Sequence, residues 1–456
     1  MTGTPVAPPR WTEALARTIE GTRGDDVPED VRLTGRACLL DTLCVALAGC
    51  QEPLVDILDS VVSEFGRAEG STLIGRGRKS GAPDAALVNG SAAHALDFDD
   101  MHIASSSHPS VPVISAALAV AERVHASGAD LLRAIVLGIE TTVRIGESVN
   151  PSHYQRGWHA TGTLGHFGAT VAAGSLLKLA PSQLTMAVGI AATQAAGLKQ
   201  MFGTMAKPLH AGHAARDGVM AALLAARGFT SSARALEGTR GFGNVMSESP
   251  DWTRLTEGWG TEWSMRSVLY KKYASSFCTQ ALIEGVIGLR RKHALEPGDV
   301  AAMRIAVSRQ SIDNARIGEP ATGMEGKFSL THAAAQALAY GQATESDFTD
   351  ERAAEPLLRD LRGRTAISLG ERLGWAESSV EIETRDGRTL REDVDLHERT
   401  ASADAKWAVA DEKFRTVTAP LLRGDRRDAV VETVRTIDRA RRIEPLMVLV
   451  SALAHA

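Results

Sequence analysis

The 456-residue chain holds only four cysteines, Cys38, Cys44, Cys50 and Cys278, and no CxxC pair. That excludes a zinc ribbon and a ferredoxin-type cluster. Six-residue spacings turn successive positions by about 240° on a helix, so the first three cysteines do not share a face. Reduced structural thiols are expected. Aromatic residues are scarce, at 5 %, while alanine and glycine are abundant, which favours closely packed small-residue helices over an all-β sandwich. Basic excess is missing: 50 Lys+Arg against 55 Asp+Glu give a net charge of −5. No nucleic-acid partner is expected from that balance. No run approaches the roughly 20 apolar residues of a membrane span, so no membrane partner is expected either. The start, "MTGTPVAPPRW", reads as a frayed Pro-rich segment over residues 1–10. It lacks a basic stretch followed by an apolar core, so a cytoplasmic location is the expectation. Cofactor signatures are absent as well. There is no GxGxxG after a strand, no GxxxxGK[ST], no GxSxG, no HExxH and no EF-hand spacing.

What is present is a long series of helix signals. The length predicts two domains. From Trp11 to about Val245, Ala-rich stretches at helical spacing are bounded by Ser, Thr, Gly or Pro. Several are apolar nearly all round, which marks buried helices. "FTSSARALEG" reads as a helix restarting from a Ser cap, and "AKPLHAG" as a Gly-flanked Pro turn between two helices. The pattern changes near Ser264. Val300 to Ser308 alternates like a strand, and Ser378 to Asp395 reads as a hairpin around Asp386-Gly387. The expectation is a mainly α protein: a large helical domain over 1–263 and 403–456, with a smaller α+β domain inserted over 264–402.

Four stretches concentrate polar groups. "HALDFDDMHIASSSHP" (His94–Pro109) crowds three aspartates and three histidines directly before an apolar helix. "SHYQRGWHATGTLGHFG" holds His153, Tyr154, His159, Thr161 and Thr163. "MAKPLHAGHAAR" holds Lys207, His210 and His213. "YKKYASS" and "KFSLTH" add Lys271, Lys327 and His332. A metal site, an acid–base site and a polar helix entry all fit the first stretch. Asp97, Asp99 and His102 have the ligand types for a metal, but no familiar spacing, and none is expected. Asp99 and Asp100 also fit helix-terminal charges. With cofactor motifs missing, His, Lys, Asp and Tyr are left for proton transfer on a small anion.

These motifs have a familiar order. "NGSAAHALDFDDMH…SHPSVPVISAALA", "RGWHATGTLGHFGA", "KPLHAGHAARDGVMAALLAARGFT", "RGFGNVM" and "KFSLTHAAAQAL" resemble the MmgE/PrpD family over most of the chain. The resemblance implies a large helical domain with a smaller α+β lid, a homodimer, no metal and no organic cofactor. It also implies an active site in the cleft between the domains. Carried over by motif, Asp97 of "DFDD", His108 of "HPS", His159 of "GWHATGT" and Lys207 of "KPLHAG" fall at catalytic positions. Lys271 and Thr161 are expected at substrate. His332 stands where relatives often carry a tyrosine, and it and Tyr154 are candidate proton donors. Met101 stands where decarboxylating relatives carry a threonine, and "HPS" comes one residue later here. Ser276 and Gln280 replace basic groups, so a less highly charged substrate is expected at the Met101 and Ser276 positions. The function implied is a dehydratase-like lyase on a small di- or tricarboxylate, working by α-proton abstraction. An epimerase, a cis-aconitate-type decarboxylase and a catalytically degenerate carboxylate-binding protein are the alternatives.

Overall fold

The computed structural model describes residues 10–65 and 70–454, so the Pro-rich opening at 1–9 lies outside the described residues. The chain builds two hydrophobic cores. The larger gathers buried residues from Leu15 to Ala274 and again from Trp407 to Leu453, and the smaller runs from Tyr273 to Ile382. Met265, Val268, Tyr270 and Ala274 still belong to the helical core while Tyr273 already packs in the smaller one, so the chain changes core around Tyr273 and Ala274.

Helices α1 (Glu29–Gly49), α2 (Ala82–His94), α3 (Ser110–Arg123), α4 (Gly128–Val149), α5 (Ala160–Leu176) and α6 (Ala206–Ala226) form most of the large core. Their small residues matter at one crossing in particular. A Cβ on Gly90 of α2 would lie 3.0 Å from the Gly212 Cα of α6, and one on Gly212 would collide with Ser91 and the Leu87 carbonyl. Only paired glycines let these backbones approach so closely. The approach brings His94, at the end of α2, to Lys207, in the first turn of α6.

Two readings of the helical region need correction. "AKPLHAG" is not a turn: Lys207, Pro208 and His210 lie within α6. Pro208 is tolerated because the first turn has no intrahelical acceptor for its missing N–H. "FTSSARALEG" forms turns, not a helix. Ser231 does not cap; its hydroxyl donates to the Met186 carbonyl at 2.7 Å. The basic stretch "GRGRKSG" (Gly75–Gly81) is a tight turn running into a strand: β1 (Ser71–Leu73) pairs antiparallel with β2 (Arg78–Ser80), and the charges are answered locally. Arg76 pairs with Asp56 at 2.7 Å and with Asp59 at 3.1 Å, and Arg78 also pairs with Asp59.

The smaller core stacks α7 (Phe277–His293) and α8 (Leu330–Tyr340) on a sheet of order β4-β3-β5-β6. These strands are β3 (Val300–Val307), β4 (Thr365–Leu369), β5 (Glu377–Thr384) and β6 (Thr389–Asp395). β3 runs parallel to β4 and antiparallel to β5, and β5 turns back into β6 through the expected hairpin. Along β5 alternate residues are buried, and Val380 and Ile382 face the core as a period of two requires. The chain then returns to the helical core through α9 (Ala403–Val417), where Trp407 and Phe414 are buried. Between the cores runs an apolar seam of Met101, Leu269, Phe277, Ala281, Ala376 and Leu396. No single helix among the described residues is long and apolar enough to cross a membrane.

Candidate active site

A cavity opens beside this seam. Its lining includes Asp97, Met101, His108, Tyr154, His159, Lys207 and Ser276, contributed by both parts of the chain. Asp97 sits in the turn that ends α2, with φ at +52°, a left-handed conformation unusual outside glycine. That turn aims its carboxylate inward. Oδ1 accepts from Lys271 Nζ at 2.6 Å and from Lys207 Nζ at 3.1 Å. Burial would raise the Asp97 carboxyl, but Lys207 and then Lys271 hold it well below the usual carboxylate range. Burial in turn lowers Lys207, against the pull of Asp97.

His94 and Asp99 complete an arrangement that motif spacing did not reveal. His94 Nδ1 donates to Asp99 Oδ2 at 2.8 Å, and His94 Nε2 receives Lys207 Nζ at 3.0 Å. Asp99 thus fixes the imidazole tautomer so that its free lone pair faces the ammonium. Lys207 donates two of its three hydrogens, to Asp97 and His94, and keeps one for the cavity. Asp99 therefore acts at the site through His94. The Asp100 side chain does not: burial and Asp41 push it up to about 8, and it takes the Ser110 hydroxyl.

His108 hangs between two anchors. Its backbone N–H donates to Thr161 Oγ1 at 3.0 Å, and its Nδ1 donates to the Asp100 carbonyl at 2.6 Å. Nε2 is left toward the cavity, 3.9 Å from Asp97 Oδ1. Burial takes its pKa down to about 3, although Asp99 opposes the shift. Burial and Lys207 likewise hold His159 well below the ordinary histidine value. Its Nδ1 meets His210 Nδ1 at 3.0 Å, and its buried Nε2 has no partner. Both imidazoles are therefore neutral near pH 7. Tyr154 is the opposite case: burial raises its phenol well above 10, so it remains a proton carrier.

Not every expected residue meets the cavity. Lys271 is fully buried behind Asp97, also donating to the Asp97 carbonyl at 2.6 Å. It neutralises Asp97 and does not line the cavity. Thr161 is likewise buried and serves His108. His332 is the clear correction: Nδ1 accepts from Arg362 Nη1 at 3.1 Å, the ring lies against Phe348, and it does not line the cavity. On α8 that position points into the smaller core. Ser276 lines the cavity while capping α7, and Gln280 holds the preceding loop by accepting from the Lys272 and Tyr273 N–H groups. Residues that sequence reasoning missed include Phe202, Phe277, Phe328 and Trp375, which form an apolar wall, and Asn314, whose buried Oδ1 is unpartnered. Phe328 lies in "KFSLTH" and Phe277 follows Ser276, so position in a motif could have pointed to these two, whereas Phe202, Asn314 and Trp375 had no local signal.

His94, Asp97, Asp99 and His108 offer ligand-type atoms within 4.8 Å of one another. However, two lysine ammonium groups already contact the Asp97 and His94 atoms that a metal would need. The donor set therefore fits a lysine-neutralised cluster better than a metal site.

A helical core and a smaller α+β part that share a cavity lined by Asp97, Lys207, His108 and His159 define a mainly α protein of a recognisable class. The chain belongs to the MmgE/PrpD family: the family's N-terminal domain matches residues 13–255 and its C-terminal domain residues 273–438. It is similar to a cis-aconitate decarboxylase of Aspergillus terreus, 26% identical, with 94% of this chain and 93% of that protein covered. It is also similar to a cis-aconitate decarboxylase-like protein of Aspergillus oryzae, 26% identical with 96% and 97% covered. The Homo sapiens cis-aconitate decarboxylase is 25% identical, with 94% and 92% covered.

Proposed function

We propose that the protein is a cofactor-free lyase acting on a small di- or tricarboxylate by removing the proton next to a carboxylate. One observation carries this reading. The Lys207 ammonium shares a cavity with two neutral imidazoles, His108 and His159, whose Nε2 atoms make no hydrogen bond. Substrate carboxylate takes the remaining Lys207 hydrogen. An imidazole Nε2 removes the adjacent proton, and the charge spreads onto the carboxylate oxygens, where Lys207 stabilises it. Incoming negative charge also offsets the lysines and raises imidazole basicity when it is needed. Tyr154 supplies a proton to the departing β-hydroxide.

Among the described residues Lys207 is the only lysine in the lining, which contains no arginine, and Met101, Phe277, Phe328 and Trp375 form an apolar wall. That favours a substrate with few carboxylates or with an apolar substituent. A second reading is decarboxylation, which the names of the relatives favour. It reaches the same kind of carbanion by losing carbon dioxide instead of a proton.

Product analysis over 2-methylcitrate, citrate, cis-aconitate, malate, aspartate and iminodisuccinate tests the proposal. A new alkene with loss of water is the predicted result. Released carbon dioxide selects the decarboxylase, and an inverted centre without loss of mass selects an epimerase. Thermal stabilisation by these carboxylates with no turnover would leave a binding protein and overturn the proposal.

A further inference from the structure

His210 is partly exposed on α6, and its ring is built against its neighbours. Gly197, with φ at +143°, lies against it, since a Cβ there would stand 3.4 Å from Nδ1. Across the same contact, a Cβ on Gly162 would stand 3.0 Å from the His210 Cβ. The Gly197 carbonyl also accepts the His159 backbone N–H at 3.0 Å, so one backbone stretch holds both rings. The two Nδ1 atoms face each other at 3.0 Å, and one must donate while the other accepts. His159 Nε2, the cavity-side nitrogen, is buried and unpartnered.

We propose that His210 is a proton-relay residue, connecting the cavity base His159 to solvent. The inference rests on the carbanion reading above. Before reaction His159 carries its proton on Nδ1 and His210 on Nε2. The substrate C–H bond breaks and its electron pair stays on carbon. The proton bonds to His159 Nε2 as the Nδ1 proton passes to His210 Nδ1 and the His210 Nε2 proton leaves to water. Both rings end neutral. Run in reverse, the relay draws a proton from water and returns one from His159 Nε2 to the cavity, which resets both tautomers.

The surroundings explain why a relay is useful. Burial and Lys207 disfavour an imidazolium at His159, so a proton taken there has to move on. His210 is itself lowered to about 4, by burial and then by His94, Lys207, His213 and His166, so it too passes the proton on instead of storing it. His213, on the same helix, shares no hydrogen bond or ring contact with His159, unlike His210, and serves as a control.

Two measurements test this. The first needs no substrate: nitrogen NMR of 15N-histidine-labelled resting protein, assigned with His159→Gln and His210→Gln. The relay predicts an Nδ1–H His159 and an Nε2–H His210. An Nε2–H His159 overturns it. The second compares wild type, His210→Gln, His210→Ala and His213→Gln on cis-aconitate and 2-methylcitrate in D₂O. The expected result is a tenfold or greater loss of kcat for His210→Gln, slower exchange of the abstracted proton with solvent, and recovery of His210→Ala by added imidazole. His213→Gln keeps wild-type rates. Wild-type kcat and exchange in His210→Gln overturn the relay. A wild-type enzyme that turns over neither compound, while showing the predicted tautomers, counts against the carbanion reading and for the proton pathway.

Discussion

Asp97 accepts from two ammonium groups, and its removal should be felt by the fold before the chemistry. Asp97→Asn leaves Lys207 and Lys271 buried without their shared anion. The expected cost is about 3–5 kcal/mol of unfolding free energy, read from urea denaturation. A loss below about 1 kcal/mol would mean that the lysines have another counter-charge. His94 is a positioning residue with a different signature. His94→Gln keeps an acceptor for Lys207, whereas His94→Leu removes it, so KM should rise about tenfold or more in the leucine variant and much less in the glutamine one. Equal KM values in the two would remove His94 from the account.

Other buried groups set a pH dependence. His102, His108 and His153 are lowered by burial to about 4, 3 and 4. Each stays neutral in the fold while its unfolded counterpart charges below about pH 6.5. The unfolded state then binds more protons, so stability present above pH 6.5 is lost as pH falls toward 4, by up to about 1.4 kcal/mol per unit for each group. Asp100, raised to about 8, acts in the opposite sense, since its contribution is present at low pH and disappears as pH rises toward 8. Burial also raises Asp41, Glu52, Glu140 and Glu147, but it lowers His94, His159, His210, His213 and His332 alongside these three, and unfolded histidines titrate inside this window, so net acid destabilisation between pH 6.5 and 4.5 is expected in pH-resolved denaturation. A flat profile would contradict the neutral imidazoles.

At the scale of elements, the site depends on the crossing of α2 and α6. Gly212→Val places a branched side chain where Ser91 and the Leu87 carbonyl already lie. The expected cost is about 1–3 kcal/mol, together with weaker turnover because Lys207 moves away from His94. Wild-type stability and activity would show that the crossing has slack. Most helices were legible in the sequence, because an Ala-rich 3.6-residue period is a long signal. Val300–Val307 and the hairpin were legible through alternation. Three strands were missed: Ser71–Leu73 and Arg78–Ser80 have only three residues each, and Thr365–Leu369 is short and largely exposed, so none is long enough to show alternation. "KPLHAG" misled because proline and glycine usually mark turns, whereas here the proline falls in a helix's first turn and the glycine serves a helix contact.

Across the whole molecule, the cavity is made by two cores and a returning helix. Lys413 on α9 reaches Asp41 at 2.7 Å and the Phe98 carbonyl at 2.5 Å, and so ties the end of the chain to the loop bearing Asp97. Such long-range ties are invisible in local sequence. The polar wall of Asp97, His108, His159 and Lys207 was reached through the family resemblance of the motifs that hold them, since polar density alone left structural readings open. The apolar wall and Asn314 were not, since phenylalanine, tryptophan or asparagine alone carries no such signal. His332 was misplaced because a motif position does not say which way a helix turns its side chain. The central claim is that this assembled site makes a carbanion beside a carboxylate. Proton NMR in D₂O of wild type and Lys207→Met, with the same carboxylate panel, tests it most directly. The account predicts deuterium at the carbon next to a carboxylate in recovered substrate or product, with little or none from Lys207→Met. Carboxylates that raise the melting temperature of the wild-type protein while no carbon-bound proton exchanges would contradict it.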